Sequence, residues 1–159
     1  TVIPLKTPQG KLKITIKTKA DYQFIVKQSN QNETINVQKI NNSQSYLTGF
    51  YDIELLTLPR QYFKNIRINQ NQLTQLQLPS TGLANILLPA NGYGGVYLKD
   101  GDMLTEIYKF NGESNQYKLT LLPGKYTVIY RSKSSKKYIY TDEKSFVIKS
   151  GKSQLIKIY

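Results

Sequence analysis

The chain has 159 residues, and its 22 Lys and Arg against 10 Asp and Glu give a net charge of +12 at neutral pH. The absence of Cys, His and Trp excludes a disulfide framework and a thiol nucleophile, and it removes the commonest general base and metal ligand. No apolar run approaches the roughly 20 residues that a membrane-spanning helix needs. These limits predict a protein that is not an enzyme and has no cofactor, metal or membrane span.

Most of the positive charge is lysine, because only Arg60, Arg67 and Arg131 are arginines. Arginine is the usual side chain for phosphate and base recognition, whereas scattered lysines more often serve solubility and protect sheet edges. The charged residues are also divided evenly between the two halves of the chain, with no basic arm. This distribution argues against nucleic acid as a partner.

The first half opens with a segment in which apolar and polar residues alternate. Leu12, Ile14 and Ile16 form an apolar face, which is typical of a half-buried strand. The opposite face is rich in lysine, and we expect it to protect a sheet edge. The lysines of this segment are Lys11, Lys13, Lys17 and Lys19.

Further short strands and polar loops complete the first half. Residues 22–26 alternate again, and Asn-rich loops are predicted at 28–32 and 41–43. Two last segments, with Ile66 and Ile68 in one and Leu76 and Leu78 in the other, flank the polar turn at 69–71. This spacing predicts a hairpin at the end of the first half.

One motif occurs in both halves and organises the prediction. Gly49 and Tyr51 match Gly124 and Tyr126, and each pair opens an alternating strand. Because Pro123 precedes Gly124, the pattern predicts a type II turn with a positive φ at the glycine. The second half repeats the order of the first, with Asp100-Gly101 as an added hairpin signal. The repeated terminal hairpin would join residues 146–148 to 156–158.

Each copy therefore contains about six or seven short strands separated by turns, a pattern typical of a β-sandwich. We predict an all-β chain of two tandem, duplicated antiparallel β-sandwiches, immunoglobulin-like or prealbumin-like. The first repeat would cover residues 1–79 and the second residues 80–159.

Several segments are similar to the C-terminal β-rich region of exported von Willebrand factor A-domain proteins of the Bacteroidetes. The resemblance is carried by residues 51–60, 62–65, 91–94 and 122–126. It implies a cell-envelope location and an accessory, non-catalytic role beside an adhesion-type domain. The Asp-x-Ser-x-Ser run of the A domain's metal site is absent, so metal-dependent adhesion is not implied for this chain.

Two acidic clusters have alternative interpretations. Asp100-Gly101-Asp102 with Glu106 could form a small calcium loop, but Asp-Gly between two strands is also what a tight hairpin requires. Asp142-Glu143 is predicted to lie on a loop, where local charge balance with neighbouring lysines is its expected role.

A basic segment at residues 130–140 mixes cations with tyrosines. It predicts either a solvated hairpin tip or a loop that binds an anionic polymer through charge pairing and stacking. The candidate residues for an anionic ligand are Arg131, Lys133, Lys136, Lys137 and Tyr138.

Two functions follow from these observations. The first is a structural or interaction module of an exported, periplasmic or cell-surface protein, which spaces or presents a von Willebrand factor A domain. Its partners would be proteins, either its own upstream domain or an envelope protein. The alternative is a binding module that recognises an anionic polymer, either a glycan or nucleic acid, through the basic segment.

Overall fold

The structure, a computed structural model, describes residues 7–17, 21–134 and 141–159. It divides into two compact units, Thr1–Leu78 and Pro79–Tyr159. The described residues form fourteen strands and no helix. The predicted all-β class is therefore confirmed.

Unit 1 is a sandwich of seven strands in two sheets. The strands are β1 (Gln9–Ile16), β2 (Gln23–Gln28), β3 (Thr34–Lys39), β4 (Ser43–Leu47), β5 (Gly49–Leu55), β6 (Gln61–Ile68) and β7 (Leu73–Leu78). The small sheet has the order β4-β1-β7, and the large sheet has the order β3-β2-β5-β6.

Unit 2 has the same topology. Its strands are β8 (Gly82–Leu87), β9 (Gly92–Asp100), β10 (Met103–Lys109), β11 (Gln116–Leu121), β12 (Gly124–Ser132), β13 (Asp142–Ile148) and β14 (Ser153–Lys157). The small sheet is β11-β8-β14 and the large sheet is β10-β9-β12-β13. Each strand of unit 2 thus occupies the place of the strand seven earlier in unit 1.

The first and last strands of each unit lie side by side and run in the same direction. β7 pairs with β1 from Lys11↔Leu73 to Ile16↔Leu78, and β14 pairs with β8 over a comparable length. The remaining strand pairs are antiparallel. The predicted sandwich is therefore correct, except that each unit contains one parallel pair.

This pairing shows that the predicted terminal hairpins are wrong. β6 pairs with β5 in the large sheet, whereas β7 belongs to the small sheet. The turn at residues 69–71 therefore carries the chain from one sheet to the other, and residues 149–152 do the same in unit 2. Alternation and turn residues fix where a strand starts and ends, but a strand's partner depends on which apolar faces meet in the core.

The lysine-rich face of β1 does not protect an edge, because β1 is the central strand of its sheet. Lys11 and Lys13 lie on the outer face, while Leu12 and Ile14 are fully buried. Alternation identifies the two faces of a strand but carries no information about its neighbours. Lys19 lies outside the described residues.

The core of each unit is built from the inward side chains of both sheets. Chain reversals at its margin use Asn or Gly at positive φ, as at Asn41 (64°), Asn71 (56°) and Gly151 (67°), in agreement with the predicted turns. The largest fully buried side chains are Leu12, Ile14, Phe24, Ile53, Leu55 and Ile68 in unit 1, and Ile86, Leu121, Leu122, Tyr126, Tyr130 and Ile148 in unit 2.

The repeated motif forms a tyrosine corner in each unit, in which a buried tyrosine hydroxyl bonds to backbone a few residues upstream. The Tyr51 hydroxyl donates to the carbonyl oxygen of Leu47 at 2.8 Å. The Tyr126 hydroxyl donates to the carbonyl oxygen of Leu122 at 2.6 Å. The predicted equivalence of the two tyrosines thus has a physical basis, since both join the start of a central strand to the segment that leads into it.

The predicted positive φ at Gly124 is wrong. Gly124 is not among the residues with positive φ, and it already belongs to β12, where it pairs with Ile148. The glycine instead makes room for the tyrosine ring, because a Cβ at residue 124 would lie 3.3–3.4 Å from the hydroxyl and ring atoms of Tyr126. Ring packing, and not turn geometry, accounts for the small residue here.

Candidate functional site

The predicted basic segment is described only in part. Arg131 lies at the end of β12 and Lys133 follows that strand. Lys136, Lys137 and Tyr138 lie outside the described residues.

Arg131 and Lys133 converge on one aromatic ring. The Cζ of Arg131 lies 5.8 Å from the ring centroid of Tyr93, and the Nζ of Lys133 lies 5.9 Å from it. Both distances fall within the range of cation–π interactions. Half of Tyr93 is exposed (51%), so the ring and both cations form a basic aromatic patch on the surface of unit 2.

Tyr93 was not among the residues predicted for the site, although the glycines on either side of it indicate a close contact between strands. Gly92 and Gly94 flank it on β9, and a Cβ at either glycine would overlap backbone atoms of β12. Glycine permits such a close approach of two strands. The close contact fixes Tyr93 opposite Arg131, its register partner.

The first acidic cluster forms the tight hairpin predicted by one of its two interpretations. Asp100 pairs with Met103 across a two-residue loop, and Gly101 has a φ of 58°, as a type II′ turn requires at its first position. The Glu106 carboxylate accepts a hydrogen bond from the Tyr97 hydroxyl at 3.0 Å. Burial of Tyr97, followed by this contact with Glu106, raises the pKa of Tyr97.

The second acidic cluster does not lie on a loop, contrary to the prediction. Asp142 and Glu143 open β13 and pair with Tyr130 and Ile129. Loop composition was a poor guide because polar residues at the exposed end of a strand give the same pattern. Within the residues that the structure describes, no group of three or more His, Cys, Asp or Glu side chains could hold a metal ion.

Unit 1 contains a surface cleft of about 510 Å³, within the usual size range of ligand pockets. It lies beside β4 and reaches β3 and the start of β5. Three of its apolar side chains are about half exposed: Ile35 (48%), Leu47 (51%) and Phe50 (52%). The residues that line it are Gln9, Gln28, Ile35, Asn36, Gln44, Ser45, Tyr46, Leu47, Thr48, Gly49, Phe50 and Tyr51.

A polar network beside the cleft joins the two sheets. Asn36 Nδ2 donates to the Tyr46 hydroxyl at 2.9 Å, and that hydroxyl donates to Gln38 Oε1 at 2.7 Å. Gln38 Nε2 in turn donates to the carbonyl oxygens of Leu12 and Asn42. Burial raises the pKa of Tyr46. Because β3 and β4 are edges of different sheets, this network holds the two edges together.

The described ranges contain no helix long and apolar enough to cross a membrane. No family model matches the sequence, and no curated protein sequence matches it.

Three solved structures match this chain over most of its length. The minor pilin of the gram-positive pathogen Streptococcus agalactiae is 12% identical over 94% of each chain, with a TM-score of 0.45. The Bacillus anthracis TIE protein is 19% identical over 95% of this chain and 33% of its own, with a TM-score of 0.38. The pilus adhesin SpaC from Lactobacillus rhamnosus GG is 10% identical over 94% of this chain and 31% of its own, with a TM-score of 0.26. This chain thus spans about a third of the TIE protein and of SpaC.

Proposed function

We propose that this chain is a non-catalytic, load-bearing spacer of an exported or cell-surface protein. The observation that carries the proposal is the parallel pairing of the first and last strands in both units. Parallel neighbours start at the same end of a sheet. The chain therefore enters a unit at one end of the small sheet and leaves it at the opposite end.

This geometry decides how a unit responds to tension along the chain. A pull between the start of β1 and the end of β7 loads all of their hydrogen bonds together, in shear. Two further bonds extend this ladder at the end where both strands start: Lys11 N–H donates to the Gln72 carbonyl at 2.8 Å, and Asn71 N–H donates to the Gln9 carbonyl at 2.9 Å. If the two strands were instead pulled apart at the same end, their hydrogen bonds would break one at a time. A unit with parallel terminal strands therefore suits a segment that transmits force.

Unit 2 has the same arrangement. Leu83 N–H donates to the Lys152 carbonyl and Ile158 N–H donates to the Leu87 carbonyl, both at 2.9 Å. These bonds extend the ladder between β8 and β14 at its two ends. The repetition of the feature in both units supports a common mechanical role.

The domain that such a spacer would present is of the adhesion type. The similarity of residues 51–60 and 122–126 to von Willebrand factor A-domain proteins supports that choice, together with an envelope location. The partner would then be the chain's own upstream domain or another envelope protein.

Single-molecule pulling of the whole chain tests the load-bearing role. The chain contains no native cysteine, so pairs of introduced cysteines are unique attachment points. Handles at Thr7→Cys and Pro79→Cys load β1 and β7 in shear. Handles at Thr7→Cys and Gln70→Cys, both at the end where β1 and β7 start, separate the same bonds one by one.

We expect the shear geometry to require a several-fold higher unfolding force at the same loading rate. Both variants keep the same ladder, so their difference isolates geometry from stability. Equal forces in the two geometries would contradict a load-bearing role for the terminal strands.

A second candidate function is supported by the basic aromatic patch. Tyr93, Arg131 and Lys133 combine an exposed ring with two cations, which suits an anionic glycan through stacking and charge pairing. Heparin binding tests it. Charge attraction alone gives a Kd of roughly 10⁻⁴–10⁻⁶ M that weakens steeply with salt. Submicromolar binding that survives physiological salt and is lost in Tyr93→Ala would establish the patch as a site, whereas weak binding unaffected by that change would exclude it.

A further inference from the structure

The edge strands of the four sheets differ in how they are protected against pairing with another chain. Natural proteins protect such edges with charged residues, prolines or bulges. Among the eight edge strands of the described residues, two per sheet, only β4 and β7 of unit 1 contain no charged residue. The charged residues of the other six are Lys39 in β3, Lys64 and Arg67 in β6, Glu106 and Lys109 in β10, Lys118 in β11, Asp142, Glu143 and Lys144 in β13, and Lys157 in β14.

The backbone of β4 offers hydrogen-bonding groups on its open side. Thr48 N–H donates to the Pro8 carbonyl on the β1 side. In an antiparallel ladder, successive residues alternate between bonding to the neighbour and pointing away from it. Ser45 and Leu47 therefore direct their N–H and C=O groups away from β1. The Leu47 carbonyl already accepts the Tyr51 hydroxyl, which leaves both groups of Ser45 and the N–H of Leu47 for an added strand. Four of the five residues of β4 are exposed.

The open side of β4 coincides with the cleft of unit 1. Side chains of a strand added to this edge would alternate, and every second one would point into the cleft. On the face shared with Tyr46 they would lie toward the half-exposed Ile35 and Phe50 of the cleft, and on the other face they would lie beside Leu47. The other uncharged edge, β7, does not line this cleft.

The cleft also differs in charge from the rest of the chain. None of its lining residues is charged, although the chain carries a net charge of +12. A charged side chain placed there would lose hydration without an ion-pair partner among the lining residues. The Arg67 guanidinium lies outside this lining, 5.8 Å from the ring of Phe50. The occupant that fits is uncharged where it contacts the cleft.

We infer that β4 is a docking edge for an extended, uncharged segment of a partner protein, which adds as a fourth strand to the small sheet of unit 1. Main-chain hydrogen bonds to the N–H and C=O groups of Ser45 and to the N–H of Leu47 hold the segment, and its alternate apolar side chains fill the cleft. Backbone pairing supplies affinity and the cleft supplies selectivity, as in other cases of strand addition.

Proline substitution gives a matched pair of variants. Ser45→Pro removes an N–H that points away from β1, a position at which an edge strand tolerates proline. Thr120→Pro is the control, because β11 is the corresponding strand of unit 2. Leu88 N–H donates to the Asn115 carbonyl, so the same alternation leaves the N–H of Thr120 on the open side of β11.

The probe is a phage-displayed library of random ten-residue peptides, panned on the whole chain. We expect the selected peptides to lack charged residues and to alternate apolar with polar ones. A capped synthetic peptide of the consensus should bind the wild type and Thr120→Pro equally. Its binding to Ser45→Pro should be at least ten-fold weaker.

Amide hydrogen exchange of the wild type provides a second measurement that does not depend on any variant folding. The peptide should slow exchange at Ser45 and Leu47, whose N–H groups it would bond. Selection of no peptide, exchange unchanged at both amides, or equal binding by the two proline variants would each overturn the inference. Binding of cellohexaose that competes with the peptide and tolerates Ser45→Pro would identify the cleft as a saccharide site and would also overturn it.

Discussion

The hydroxyl of Tyr126 and the backbone carbonyl of Leu122 form a buried 2.6 Å hydrogen bond across the turn that opens β12. Tyr51 and Leu47 form the equivalent bond at 2.8 Å in unit 1. Each bond attaches a tyrosine of the large sheet to the segment that comes from the small sheet. The two tyrosine corners therefore connect the two layers of each sandwich.

Removing either hydroxyl should destabilise its unit. Tyr126→Phe and Tyr51→Phe each leave a carbonyl oxygen without its partner, which costs about 1–3 kcal/mol of unfolding free energy where the group is buried. Urea denaturation of each variant measures the loss. Tyr62→Phe is the control, because Tyr62 is 64% exposed and its change should leave stability within error. If Tyr126→Phe kept the wild-type free energy of unfolding, the tyrosine corner would make no contribution to stability.

The stability of the chain should fall at alkaline pH because of Tyr126. Burial raises the pKa of Tyr126 to about 12, whereas an unfolded tyrosine titrates near 10. Between these values the unfolded state loses the proton and the folded state keeps it, so stability declines as pH rises from about 10 to about 12. The decline should be shallower in Tyr126→Phe, as measured by urea denaturation at a series of pH values. Tyr159→Phe, at an 88% exposed residue, should keep the wild-type slope.

Close strand contact should make Gly94 far less tolerant of substitution than Gly101. Both have positive φ, 126° and 58°, which costs a substituted residue about 1–3 kcal/mol. A Cβ at Gly94 would also overlap the carbonyl of Ile129, whereas nothing lies within 4 Å of one at Gly101. Gly94→Ala should therefore lose about 3 kcal/mol or more, and Gly101→Ala clearly less. Equal thermal shifts in the two variants would contradict the close contact.

Acid should destabilise unit 1 through Asp52. Its Oδ1 accepts hydrogen bonds from the backbone N–H of Asn65 at 2.9 Å and from the Ser29 hydroxyl at 2.7 Å. The Asn65 bond, followed by the Ser29 bond, holds the pKa of Asp52 below its ordinary value. A lowered pKa gives stability that is present above about pH 4 and is lost as pH falls through the folded-state pKa.

The test compares melting temperatures at pH 7 and pH 3. Asp52→Asn should be less stable than the wild type at pH 7 and should lose less on acidification. Asp102→Asn, in the exposed β9–β10 loop, serves as the control and should behave as the wild type. If Asp52→Asn lost as much thermal stability on acidification as the wild type, Asp52 would not be a cause of the acid sensitivity.

The strands were predictable from sequence because their evidence is local. Leu12, Ile14 and Ile16 alternate with polar residues, and all three are buried. The match between Tyr51 and Tyr126 likewise identified two equivalent positions. These features depend only on the period of a strand and on repetition within the chain.

The strand partners were not predictable in the same way. Leu76 and Leu78 alternate as any strand would, and the turn at 69–71 suggested β6 as the partner, yet β7 pairs with β1. The cleft was also missed, because Ile35, Leu47 and Phe50 come from three different strands. Which edges face one another is a property of the packed sandwich, and no local pattern records it.

Because β1 lies between β4 and β7, the small sheet of unit 1 can be completed only after the last strand of the unit has been synthesised. A bond such as that from Thr15 to Leu76 joins residues 61 apart, and the bond between Asn85 and Ser153 in unit 2 joins residues 68 apart. Nearly a whole unit must leave the ribosome before its first strand gains its second neighbour. Contacts so distant in sequence make folding slow, on the order of milliseconds to seconds. Until then one edge of the first strand is unpaired, so this edge of a nascent unit is accessible to chaperones during most of its translation.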